Sequence, residues 1–327
     1  MIYSKIIGLG SYVPSQIVKN DELSKIVETS DEWITTRTGI KERRISSGEK
    51  TSQLALKAAK ESIKDAGIKK EEIDMIVLAT ITPDFFTPST ASLVQSELGL
   101  TDVPSFDISA GCTGFVYGLQ IADQFIKSKQ CKTILVIGAE TLSKVTNWED
   151  RNTCVLFGDG AGAAIVQRSD QEGIICTYTG SQGDLQGHLT LPAVPLKNPF
   201  LEHQEDNGNH SHIFMNGKEI FKFATRIMIK SIQHVLRQSN YSIDDIDYII
   251  PHQANIRIID YVSQKLKVEK EKFIINLDRF GNTSAASIPL AMDEAHKNNI
   301  FRPGNKIIMV AFGGGLTWGA VLLNWTI

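Results

Sequence analysis

Cysteine is scarce in this chain of 327 residues, which has four in all. Four cysteines over that length do not make a disulfide scaffold, so a reducing, cytoplasmic setting is the default. An excess of one charge sign is also lacking. Lys plus Arg number 34 against 37 Asp plus Glu, a net −3, and a binder of nucleic acid would need a basic face. Histidines number seven. Three of them, His203, His210 and His212, are close enough in sequence to suggest a metal, but they fall in a polar loop and no metal site is expected. Residues 1–14 lack the charged start and long apolar stretch of a signal peptide. Long apolar runs are missing with one exception. Residues 307–327 carry no charge over about the 20 residues that span a membrane. Gly313, Gly314 and Gly315 interrupt that run, and each glycine costs a helix about 1 kcal/mol relative to alanine. Two buried strands joined by a glycine turn fit better, with no membrane span.

What is present is ordinary for a globular chain: 42% apolar and 22% charged residues. Apolar runs at Met75–Thr80, Thr133–Ala139, Tyr248–Pro251, Phe273–Leu277 and Lys306–Ala311 read as strands buried on both faces. Ser52–Ala66, Ser89–Leu98, Phe115–Ser128 and Phe221–Gln238 read as helices between them, which makes an α/β layered protein. The halves echo each other. Glu72–Val77 resembles Asp245–Ile250, Lys132–Val136 resembles Lys306–Val310, and Phe157–Gly160 resembles Phe312–Gly315, in the same order. A duplicated architecture is expected, with halves at 1–170 and 171–327. The polar stretch Leu201–His212 reads as a surface insertion.

Chemistry concentrates at three places. Cys112 lies where an apolar run, Phe106–Ile108, passes through Ser109, Ala110 and Gly111 into an apolar helical segment. That layout puts a thiol near a helix N-terminus, which favours a thiolate nucleophile; a free cysteine that simply packs is the competing reading. Cys131, Cys154 and Cys176 sit at strand edges and are assigned to packing. A nucleophilic cysteine needs a partner, usually histidine. His252 directly follows the run Tyr248–Pro251, where α/β sheets place their sites, although a satisfied core histidine fits equally. His234 and His296 read as surface residues. In the second half Asn282 occupies the place of Cys112, as a neutral donor for an oxyanion or as a helix N-cap. The glycine run 313–315 offers backbone N–H groups for an oxyanion. Phosphate cradling is the rival, but no Gly-Lys-Ser/Thr follows it.

Six short motifs carry a resemblance over nearly the whole chain. They are Thr29–Ile34 with Arg37–Ile40, Gly111–Phe115, Phe157–Gly162, His252–Asn255, Gly281–Ser284 and Phe312–Gly315. In this ordered set the chain resembles the β-ketoacyl-acyl-carrier-protein synthase III family, the condensing enzymes that initiate bacterial type II fatty-acid synthesis. The resemblance implies a thiolase-like fold of two duplicated α/β halves in αβαβα layers, and a homodimer. It implies Cys112 as nucleophile, His252 and Asn282 as its partners, and the N–H groups of Cys112 and Gly314 as oxyanion donors. Thr29, Trp33, Arg37 and Arg151 would hold the nucleotide end of CoA. Lys222 and the segment Gln253, Ala254, Asn255, Ile256 and Arg257 would dock the acyl carrier protein in its malonyl form, with Lys265 a further candidate. Acyl-CoA is then a substrate and no cofactor is implied.

Two features depart from the family. Phe commonly precedes the proline of the segment Phe85-Phe86-Thr87-Pro88 and closes the acyl pocket across the dimer. Here Thr87 stands in that place and Phe86 one residue earlier, which opens the gate to larger or branched primers. The 201–212 stretch also looks long. The competing functions are an acyltransferase of specialised metabolism using the same thiolate, and a non-catalytic acyl-CoA-binding protein; the complete Cys112, His252 and Asn282 set argues against the latter.

Overall fold

In the computed structural model, which describes residues 2–195, 200 and 211–327, Met75–Ala79 and Thr133–Glu140 are strands with every residue buried. Strands buried on both faces require covering layers above and below, and the chain supplies them. A five-stranded sheet runs in the order Tyr3–Tyr12, Gly160–Ser169, Thr133–Glu140, Met75–Ala79, Ser105–Ile108. A four-stranded sheet runs Ile174–Ser181, Thr317–Asn324, Lys306–Gly313, Tyr248–Pro251. Taken in that direction the first four strands of one correspond to the four of the other, with the same parallel and antiparallel pairings, and Ser105–Ile108 has no counterpart.

The correspondence reaches single side chains. Met75 pairs with Ile134 and Tyr248 with Ile307. Just before these strands, Asp74 accepts the Thr133 N–H at 2.9 Å and Asp247 accepts the Lys306 N–H at 2.7 Å. Each carboxylate thus ties the entry of its own strand to the start of the neighbouring one. The glycine-interrupted run near the C-terminus is the hairpin of Lys306–Gly313 and Thr317–Asn324, as its composition predicts. Among the described residues no helix is long and apolar enough to cross a membrane.

One expected strand is not there. Phe273–Leu277 meets its neighbour through a single bridge, Ile249 to Phe273, and Leu277 already begins a short helix, Leu277–Phe280. The reason lies in Pro251, which has no N–H to continue the ladder. Ile274 donates to Ile249 O at 2.9 Å, but Ile274 O is then taken by the side-chain amide of Gln253 at 3.1 Å.

The core forms three apolar zones. The helices Gly114–Lys127 and Ser287–Lys297 lie between the sheets, where Phe115, Leu119, Ile288 and Met292 pack with strand residues of both. Thr51–Ala66 and Thr90–Glu97 cover the outer face of the first sheet. Gly217–Ser239 and Ile256–Leu266 cover that of the second. The layers are therefore αβαβα. The two middle helices start side by side, and that brings a residue from each half to one point.

Candidate active site

Cys112 sits in the 3-10 turn Gly111–Thr113, which runs straight into the helix Gly114–Lys127. Gly111 makes the turn possible with φ +54°. A Cβ there would stand 2.8 Å from the Gly314 nitrogen, so only glycine allows the two loops to meet. The loop leaving Lys306–Gly313 comes equally close, because a Cβ on Gly313 would lie 2.5 Å from the Cys112 nitrogen. Thr317 fastens the two together. Its hydroxyl donates to Ala110 O at 2.8 Å and lies 3.0 Å from Thr113 Oγ1.

The thiol differs from the expectation drawn from its position. Burial pushes its pKa up to about 12, and the negative charge of Glu140 adds to the rise. A helix N-terminus is worth about 1 kcal/mol, less than one pKa unit, so desolvation wins and the resting group is a thiol.

His252 follows Pro251 and donates its backbone N–H to Val310 O at 2.8 Å. Its ring is buried, edge-on to Phe312 with centroids 5.3 Å apart. Ser287 Oγ lies 2.7 Å from Nδ1 and accepts the Gln253 N–H at 3.4 Å. When the hydroxyl donates its proton to Nδ1, the ring hydrogen sits on Nε2. Burial lowers the ring pKa to about 3, and His252 is a neutral donor.

Asn282 is held across the halves, donating its backbone N–H to Leu156 O at 2.8 Å and accepting from Gly158 N at 3.0 Å. Its Oδ1 accepts the Ser284 N–H at 2.8 Å. This is a local turn bond and not a helix cap, since the N-caps of Ser284–Ala286 and Ser287–Lys297 are Thr283 and Ala286; it leaves Nδ2 as a donor, the other of the two readings. Cys112, His252, Asn282 and Gly313–Gly315 line a single cavity of about 720 Å³.

The nucleotide-binding candidates also converge. Ser30 caps the helix Asp31–Thr38 by accepting the Trp33 N–H at 3.1 Å, and this helix presents Trp33 and Arg37. The guanidinium carbons of Arg151 and Arg37 lie 4.8 and 5.6 Å from the Trp33 ring centroid. Arg151 also donates to Glu28 O at 2.9 Å, beside Thr29, whose buried hydroxyl has no partner among the described residues. Asn255 connects this cluster to the cavity it lines, donating to Arg37 O at 3.1 Å.

Of the carrier-protein candidates, Arg257 is exposed and lies over the Phe221 ring at 5.9 Å, while Lys222 is paired with Glu219 at 2.7 Å. Ala254 and Asn255 line the cavity, and Ile256 packs against Gly39. Lys265 lies near the far end of the Ile256–Leu266 helix, over Tyr261. Gln253 requires a correction, since it is 1% exposed. Its amide donates to Pro251 O and Ile274 O and accepts from Asn276 N. It replaces the ladder bond that Pro251 cannot make and is not available for docking.

Other expectations shift as well. Phe85 and Phe86 line the cavity and Phe86 is 79% exposed, whereas Thr87 is exposed outside the lining. Cys154 closes the short helix Arg151–Cys154 instead of edging a strand. His234 stacks on Tyr178 at 3.8 Å, and His296 lies 3.3 Å from Asp65, so neither is a free surface residue. Residues 201–210, with His203 and His210, lie outside the described residues. Among the described residues no His, Cys, Asp and Glu grouping could hold a metal. The Phe157–Gly162 motif is structural: buried Asp159 accepts from Ser46 N and from Ser143 N and Oγ.

Sequence reasoning missed Ser284, Ser287, Thr317 and Glu140. Only Glu140 left a trace, as a carboxylate closing the apolar run Thr133–Ala139. The hydroxyls left none, because small polar residues at helix starts are common.

Two stacked sheets of matching topology, with cysteine at one inner helix head and asparagine at the other, define a thiolase-like condensing enzyme. Residues 106–183 match the family model described as 3-oxoacyl-acyl-carrier-protein (ACP) synthase III, and residues 236–325 match the model of its C-terminal part. A β-ketoacyl-acyl-carrier-protein synthase III of Clostridium novyi is 56% identical over 98% of both chains. Crystal structures of 3-oxoacyl-acyl-carrier-protein synthase III from Aquifex aeolicus (49% identity, TM-score 0.91, covering 98% of this chain and 100% of that one) and from Pseudomonas aeruginosa (37%, 0.92, 99% of each) share the fold. The chain belongs to the 3-oxoacyl-acyl-carrier-protein synthase III family.

Proposed function

We propose that Cys112 carries the acyl group and that His252 and Asn282 stabilise the enolate formed from the extender. The reaction is the condensation of an acyl-CoA with malonyl-acyl-carrier protein, the step that initiates fatty-acid synthesis. The observation that carries the residue roles is the placement of His252 and Asn282 on the wall of the cavity that also holds Cys112, with His252 Nδ1 engaged by Ser287 and Asn282 Oδ1 by Ser284.

In the first half, Cys112 sulfur attacks the thioester carbon, and the oxyanion lies between the N–H groups of Cys112 and Gly314. CoA departs with a proton. In the second half, the malonyl thioester loses CO₂ and its enolate oxygen receives hydrogen bonds from His252 and Asn282. The enolate carbon attacks the acyl-Cys112 carbonyl and the carbon–sulfur bond breaks, giving the 3-oxoacyl product and the Cys112 thiolate, which takes a proton from water to restore the thiol. A histidine with a pKa near 3 suits the task, since an imidazolium would protonate the carbanion. No step as written calls for a cofactor.

Around this centre, Trp33 between Arg37 and Arg151, with Thr29, takes the adenine and phosphates of CoA. Arg257 and Lys222, beside Ala254, Asn255 and Ile256, receive the acidic carrier protein. The exposed Phe86 with Thr87 marks the edge that meets a second copy in a homodimer, and it sets the primer size. The setting is the cytoplasm.

Labelled acetyl-CoA tests the reading. Label should be trapped on Cys112 and chased into product by malonyl-acyl-carrier protein. His252→Ala should keep trapping while losing most decarboxylation, and equal loss of both would defeat the division of roles.

A further inference from the structure

Acylation of Cys112 starts from a half-buried cysteine held as the thiol, and neither catalytic partner is placed to take its proton. His252 Nε2 already carries hydrogen while Nδ1 is held by Ser287, and the free end of Asn282 is a donor. Asp107 and Asp184 also line the cavity, but their carboxylates are taken by the N–H groups of Thr90, Ala91 and Leu189; Glu140 lies behind the wall. Glu140, wholly buried at the end of its strand, accepts from Thr82 Oγ1 at 2.5 Å, from Thr80 Oγ1 at 3.1 Å and from Ile81 N at 3.1 Å. Every one of these neighbours donates, which is the environment of an anion. Thr80, Ile81, Cys112 and Ser284 all line the cavity.

Ser284 is the link. It is 1% exposed, and among the described residues its hydroxyl has no partner at full hydrogen-bond geometry. Its turn, Ser284–Ala286, packs against both the turn Gly111–Thr113 that holds Cys112 and the strand Thr133–Glu140, and the hydroxyl bears on the thiol and on the Glu140 carboxylate. Its backbone takes φ +50°, uncommon for serine, and its N–H is fixed on Asn282 Oδ1. A buried hydroxyl without a partner carries a cost of about 1–3 kcal/mol, and a position between proton donor and acceptor accounts for keeping it.

We propose that Glu140, acting through Ser284, receives the Cys112 proton during acylation and returns it to the departing CoA sulfur. The S–H proton moves to Ser284 Oγ as the Ser284 O–H proton moves to Glu140. The thiolate adds to the acyl carbon, the bond from that carbon to the CoA sulfur breaks, and the same path reversed delivers the proton to the CoA thiolate. No net proton is consumed. The inference rests on Cys112 being the acyl carrier.

Glu140 ionises near pH 7, raised by burial. Lys144, which donates to Thr82 O and Pro83 O, interacts with Glu140 and also with Asp84 and Asp159. The acylation rate should therefore rise with pH through about 7 in the native enzyme, and Glu140→Gln should abolish that rise. Removing a negative charge alone would lower the thiol pKa and speed acylation, whereas loss of the proton acceptor slows it. We expect single-turnover acylation by acetyl-CoA to fall about 10²-fold in Glu140→Gln and in Ser284→Ala, several times more than decarboxylation falls. The double variant should be no slower than the slower single one. Unchanged or faster acylation in both singles, or equal loss in both half-reactions, overturns the relay. No acylation of Cys112 in the native enzyme would instead overturn the parent reading. Should Glu140→Gln not fold, Ser284→Ala decides alone.

Discussion

Ser287 Oγ stands 2.7 Å from Nδ1 of His252, and this one contact sets what the imidazole can do. In the proposed reaction the hydroxyl accepts from Gln253 N and donates to Nδ1, which keeps the Nε2 hydrogen toward the cavity. Ser287→Ala should therefore cost condensation at least about 10-fold through loss of tautomer control. Acylation of Cys112 should change less than twofold. Separate single-turnover assays of the two half-reactions check this, and parallel losses would show a general disturbance instead.

Stability should carry opposed pH signatures from two buried groups. His252, lowered from 6.5 to about 3, binds its proton more readily when unfolded, so it contributes stability that is lost as pH falls below 6.5. Glu140, raised from 4.5 to about 7, holds its proton more tightly when folded, so its contribution is lost as pH rises from 4.5 to 7. Each slope is at most about 1.4 kcal/mol per pH unit, and between 4.5 and 6.5 they oppose. In His252→Gln only the Glu140 trend remains. Urea unfolding across that window should show the variant losing stability, relative to the native protein, as pH rises. Parallel curves would contradict the assignment.

Gly313→Ala should block acylation without unfolding the chain. The new Cβ would meet the Cys112 nitrogen at 2.5 Å, the N–H assigned to the oxyanion. Loss of one such donor costs about 10²–10³-fold in rate. Circular dichroism should stay native while trapped label disappears; native rates would show that the loops can part at little cost.

Arg151→Ala should weaken acyl-CoA use while sparing the carrier-protein half. Stripping one guanidinium from the face of Trp33 removes about 1–2 kcal/mol of cation–π and phosphate attraction, about a 10-fold rise in KM for acyl-CoA. The KM for malonyl-acyl-carrier protein should hold. A rise in both would place Arg151 outside a CoA site.

The length and spacing of apolar runs sufficed to read the layered α/β class, the duplication and the C-terminal hairpin. Those features follow from local periodicity and composition, which act along the chain. That Cys112 and His252 would stand together was legible too, because each follows a strand and precedes a helix; Asn282 follows the short helix Leu277–Phe280 and was reached only through the echo between the halves and the family resemblance. The missing strand at Phe273–Leu277 was less so, because its shortening depends on Pro251 and on the distant amide of Gln253.

The sequence by itself determined which residue types were available and which half each came from. Only the tertiary structure decided their chemical states. Desolvation made Cys112 a thiol despite its helix, Ser287 chose the His252 tautomer, and Ser284 bound the Asn282 oxygen. Glu140 reached the active site because its strand ends behind Ser284, which comes from the other half of the chain. Burial and partners distant in sequence, 35 positions from Ser287 to His252 and 58 from Thr82 to Glu140, set protonation, and no local pattern encodes them.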